Sequence, residues 1–65
     1  MDEVEKFLKY TLARIADDVE TCVPEEEWRN CMIDFLSDRL AESEFKDVDR
    51  SVVIKIVDMY YPEDT

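Results

Sequence analysis

The chain is 65 residues long, enough for one domain, and carries 18 acidic against 8 basic residues for a net charge of −10. Such a field repels nucleic acid and anionic membranes and draws basic partners. Histidine and glycine are both absent, so the commonest general base and metal ligand is missing, and no GxGxxG or Walker loop can cradle a phosphate.

A single core of fewer than about 70–80 residues rarely supplies more than roughly 3–5 kcal/mol. Small domains gain the rest from disulfides, a metal or a partner. With two cysteines and no histidine, a partner protein or a second copy is the leading source. Hydrophobic content of 46% is that of a folded domain. No apolar run is long enough for a membrane span or a signal-peptide core, and Asp2, Glu3 and Glu5 are the opposite of a basic targeting segment. The expectation is a soluble protein of the cytoplasm.

The first predicted element is a helix over about residues 2–21. Val4, Phe7, Leu8, Leu12, Ile15, Ala16 and Val19 recur at spacings of three and four. Asp2 with Lys6 and Glu5 with Lys9 are favourably ordered i,i+4 pairs. Pro24 ends this helix by pushing Val23 out of the α region, and it suits the first turn of the next one.

A second helix is predicted over residues 25–42. Glu25, Glu26 and Glu27 complement the positive end of its dipole. Its apolar face is read as Trp28, Cys31, Met32, Phe35, Leu36 and Leu40, with Ile33 on the flank. Residues 43–46 connect it to the third element, with Phe45 pinned to the core.

The third element, 48–61, is dense in β-branched residues, which suits a strand. Its polar positions Ser51, Lys55 and Asp58 fall at i, i+4, i+7, however, and Val53, Ile56, Val57 and Tyr60 form the opposing stripe. The spacing therefore predicts a helix, capped by Asp47 and ended by Pro62, with a frayed tail over 63–65. Three short-looped helices make a small all-α three-helix bundle, with dimerisation left open. Three-helix DNA readers share this outline but carry a basic recognition helix; each third of this chain is net negative, so direct DNA binding is not expected.

Cys22 and Cys31 have neither CxxC spacing nor a histidine partner. Each falls on an apolar helical face, so both are expected to be buried, reduced thiols; a bridge between them would need Cα atoms about 4.4–6.8 Å apart. Asp17 and Asp18 could pose as an acid pair, but adjacent helical residues point about 100° apart. No EF-hand loop is present, because its central glycine is absent. A non-enzymatic chain without cofactor or metal is the expectation.

Two acidic features exceed what solubility requires. Asp34, Asp38 and Glu42 lie at i, i+4, i+8 on the outer face of the second helix, and each like-charged neighbour pair costs a few tenths of a kcal/mol. Glu42 also lies near the negative end of the helix dipole. Successive carboxylates rise about 6 Å, comparable with neighbouring phosphates along a nucleic-acid strand. The alternative is a plain solvated face. The second feature is the corner around the first turn, where Asp17, Asp18, Glu20, Glu25, Glu26 and Glu27 put six acids into eleven residues. Tyr10 and Tyr61 are the candidate exposed aromatics, because tyrosine is favoured at interfaces; Trp28, Phe7 and Phe35 are read as core.

These features point to an acidic module binding a basic, nucleic-acid-binding surface of another protein, as an inhibitor or regulator. The competing reading is a small structural subunit or homodimer held by apolar stripes. Compact acidic helical proteins of this size resemble inhibitors that imitate nucleic acid, including viral ones; the likeness is one of composition and size, without a shared motif.

Overall fold

The computed structural model describes residues 3–62. It contains three α-helices: α1 (Glu3–Cys22), α2 (Glu25–Ala41) and α3 (Arg50–Tyr60). Each packs against the other two, giving the all-α three-helix bundle expected from the periodicity. The proposed Asp2–Lys6 pair and the tail at 63–65 lie outside the described residues.

Both prolines follow helix ends as expected, but Pro24 precedes the first turn of α2 rather than lying in it. Val23 leaves the helix but still donates to the Val19 carbonyl at 2.9 Å. Pro24, extended at φ −60° and ψ 148°, is the N-cap of α2, and its carbonyl accepts from the Glu27 N–H at 2.9 Å. Pro24 offers no capping side chain, so the three glutamates of the first turn carry the electrostatic part of this helix start. The Trp28 indole N–H donates to the Val23 carbonyl at 2.7 Å and fastens the α1–α2 turn from inside.

The core is Val4, Leu8, Leu12 and Val19 from α1, Met32, Ile33, Leu36 and Leu40 from α2, and Val53, Ile56 and Val57 from α3. The stripes of α1 and α3 are as predicted, with Tyr60 excepted. That of α2 is rotated. Ile33, expected on the flank, is buried, whereas Phe35 is 41% exposed and Trp28 and Cys31 sit at the rim. The covered arc of α2 is therefore that of Met32, Ile33, Leu36 and Leu40, with Phe35 outside it. Phe45 packs from the connection onto Phe7 with ring centroids 5.6 Å apart.

The third helix starts later than expected, and Asp47 is not its cap. Residues 42–49 fold into successive turns: Ser43 Oγ donates to the Leu40 carbonyl and accepts from the Phe45 N–H, and the Val48 N–H bonds the Phe45 carbonyl. These turns absorb Asp47. Asp49, extended at φ −66° and ψ 142°, caps α3 and accepts from the Ser51 N–H at 3.2 Å. Val48 then stands at N′ and Val53 at N4, the pattern of a hydrophobic staple. Asp49→Ala is expected to lower stability by about 1 kcal/mol in urea denaturation. Asp47→Ala should change it by less than about 0.5 kcal/mol.

Charges also join the helices among the described residues. Arg29 pairs with Asp58 and also donates to the Tyr61 carbonyl at 3.0 Å. Arg50 reaches Asp34 at 3.3 Å, and Lys55 lies 4.0 Å from Glu5. Glu5 therefore faces α3, rather than Lys9 of its own helix.

Candidate functional site

No polar or charged residue among those described is buried. The acids therefore lie at the surface, and helix geometry decides which of them share a face.

On α2, Asp34, Asp38 and Glu42 are all exposed, as expected for residues one turn apart on the outer side. Glu42 is the C-cap, and its N–H bonds the carbonyls of Asp38 and Arg39 at 3.2 Å. The stripe is not uniform: Arg50, arriving from α3, partly offsets Asp34. Neither the Asp38 nor the Glu42 carboxylate has an ion-pair partner among the described residues. The nearest cation in sequence, Arg39, lies 5.9 Å over the Phe35 ring. The Asp38 and Glu42 side chains stand exposed to solvent.

The acidic corner is brought together only in part. Glu20 accepts a 2.6 Å hydrogen bond from the Tyr61 hydroxyl, and Asp17 is close enough to act on the same phenol electrostatically. Partial burial, the hydrogen bond to Glu20 and the charges of Glu20 and Asp17 push the Tyr61 hydroxyl up to about 12. Asp18, one step of about 100° around the helix from Asp17, joins none of these contacts. Across the turn, Glu25 and Glu26 line an open cleft of about 790 Å³ with Trp28, Arg29, Asn30, Tyr60, Tyr61 and Pro62.

The structure redistributes the aromatic candidates. Tyr10 is 63% exposed as expected, with Arg14 donating to its hydroxyl at 3.0 Å and lying 5.7 Å over its ring. Tyr61 is not the exposed member of its pair. The residue before a proline is pushed away from the α region, and Tyr61, at φ −133° and ψ 71°, leaves the helix axis. Its ring packs edge-on to Trp28 with centroids 6.2 Å apart. Tyr60, placed by its helical spacing in the core stripe, is instead 49% exposed beside the exposed Met59. Cys22 is exposed and Cys31 half-buried, both free thiols; the expected burial fails at Cys22, the last residue of α1, which lies beside the packed Val19 and Val23 rather than among them, and is only partial at Cys31.

No family model, curated protein or solved structure matches this chain. The site is therefore argued from its own chemistry. No group of three or more Cys, Asp or Glu side chains among the described residues is arranged to hold a metal ion, and no helix among them is long and apolar enough to cross a membrane. What the surface offers is a set of solvent-facing carboxylates on α2 and a second acidic area beside aromatic rings at the α1–α2 turn. Sequence reasoning missed Tyr60 and the joining of Glu25 and Glu26 to the end of α3. Tyr60 shares the spacing of the buried Val53, Ile56 and Val57 but is the last residue of α3 and stands exposed there, and the second is a tertiary meeting with no local signal.

The Tyr61–Glu20 bond has a pH signature. A phenol whose pKa is raised on folding stabilises the fold fully below its ordinary value near 10, and that contribution is lost as pH rises toward about 12. Thermal melts between pH 9 and 12 should show a steeper fall for wild type than for Tyr61→Phe. Parallel curves would mean that the hydroxyl makes no such bond in solution.

Proposed function

We propose that this chain is a non-enzymatic acidic binding module that occupies a basic, nucleic-acid-binding surface of a partner protein and thereby inhibits or regulates it. The observation that carries the reading is the solvent-facing row of Asp34, Asp38 and Glu42, two of whose carboxylates have no cationic partner among the described residues. Holding like charges one turn apart is unfavourable for an isolated helix. An opposing basic surface reverses that cost and steers association. The rise of about 6 Å per helical turn-and-a-bit step suits a surface built to hold successive phosphates. Two free thiols fit a reducing, cytoplasmic setting.

A second reading, a subunit or homodimer joined by apolar contacts, is favoured by Phe35, Met59 and Tyr60 standing exposed. The two readings separate in capture of partners from cell extract, with wild type beside an Asp34→Asn, Asp38→Asn, Glu42→Gln variant at low and high salt. The proposal expects a basic protein retained by wild type, released by salt and lost from the variant. A partner held equally by both proteins at both salts favours the apolar reading and reduces the stripe to solvation. A melting temperature that rises with protein concentration would point to the homodimer.

A further inference from the structure

We propose that the cleft between the start of α2 and the end of α3 receives an arginine side chain of the partner. The inference rests on the basic partner proposed above and assigns that partner a specific contact away from the α2 stripe. Three properties of the cleft argue for it. It is concave, at about 790 Å³, a size that admits side chains rather than a folded surface. It is lined by aromatic rings: Trp28 and Tyr61 meet edge-on at 6.2 Å, and Tyr60 is half exposed. It has carboxylates on the α2 side, Glu25 and Glu26, both exposed.

Rings and carboxylates together match a guanidinium better than an ammonium. The guanidinium is planar, stacks on aromatic faces and presents forked donors to carboxylates. An anionic occupant is opposed by the two glutamates and by the net charge of −10. Arg29, also in the lining, has its charge met by Asp58 and donates to the Tyr61 carbonyl, so it forms part of the wall instead of filling the acceptor role of the glutamates.

The test is a titration of the full ¹⁵N-labelled chain at low salt with a hexa-arginine peptide and, separately, a hexa-lysine peptide. Shifts should centre on the Trp28 indole and the amides of Tyr60 and Tyr61, with hexa-arginine binding at least threefold more tightly. Tyr60→Leu keeps apolar bulk but removes the ring. It should weaken hexa-arginine at least fivefold while changing hexa-lysine less than twofold. Equal affinity for the two peptides, unmoved by Tyr60→Leu, overturns the inference. Loss of binding in the Asp34→Asn, Asp38→Asn, Glu42→Gln variant, with Tyr60→Leu unaffected, overturns the cleft and leaves the α2 stripe standing. The converse supports the cleft and removes the stripe. Failure of both peptides to bind overturns both.

Discussion

Leu36→Ala is expected to lower the melting temperature by at least about 10 °C and to leave much of the chain unfolded at physiological temperature. Leu36 is fully buried between the helices. Truncating such a leucine removes its transfer free energy and leaves a cavity, together about 2–5 kcal/mol. A single core of this size supplies only about 3–5 kcal/mol in all, so the loss consumes most of it. Phe35→Ala is the matched control. Phe35 is the larger side chain and was expected in the core from its spacing, yet it is 41% exposed with Arg39 over its ring. Its truncation should cost less than half as much as that of Leu36 in urea denaturation. Equal losses would mean that α2 presents the face read from its sequence rather than the rotated one.

That rotation shows where the sequence was legible and where it was not. Number, type and approximate ends of the helices followed from local causes: the three-and-four spacing of Val4, Leu8, Leu12 and Val19, and the two prolines that exclude the α region for Val23 and Tyr61. Details that depend on a neighbouring helix did not follow. The wide apolar arc of α2 contains both Ile33 and Phe35, and only the positions of α1 and α3 decide which is covered. Asp47 and Asp49 are equally good caps in isolation; the turns after Ser43 choose Asp49. The Tyr60–Tyr61 order reversed because Tyr61, just past the end of α3 and before Pro62, turns onto Trp28, a tertiary contact that the helical period does not carry. On the acidic surface, the i, i+4, i+8 row was visible from spacing alone. The pairing of Asp34 with Arg50, and of Glu20 with Tyr61, joins residues 16 and 41 positions apart and has no local signature.

The second large effect is on binding. The Asp34→Asn, Asp38→Asn, Glu42→Gln variant is expected to bind a basic partner at least about tenfold more weakly. Each exposed charge contact contributes about 0.2–1 kcal/mol, and a loss of about 1.4 kcal/mol over the three is tenfold in affinity. Stability should scarcely change. Relief of the Asp34–Asp38 and Asp38–Glu42 repulsions returns a few tenths of a kcal/mol each, while loss of the exposed Arg50–Asp34 pair removes a similar amount. Circular dichroism melts of the two proteins should agree within about 3 °C, so that weaker binding cannot be assigned to unfolding. A variant that melts much earlier would make the row a structural element instead.

The most direct test of the account is the salt dependence of the dissociation constant between this chain and the basic protein that it captures, for wild type and for the triple variant. Electrostatic contacts between exposed charges fade as the Debye length shortens, from roughly 14 Å at 0.05 M salt to about 8 Å at 0.15 M. The account predicts steep weakening of wild-type affinity with salt, and a variant that is weaker at low salt and less sensitive to it. Superimposable curves for the two proteins would contradict it, because Asp34, Asp38 and Glu42 would then contribute nothing to recognition.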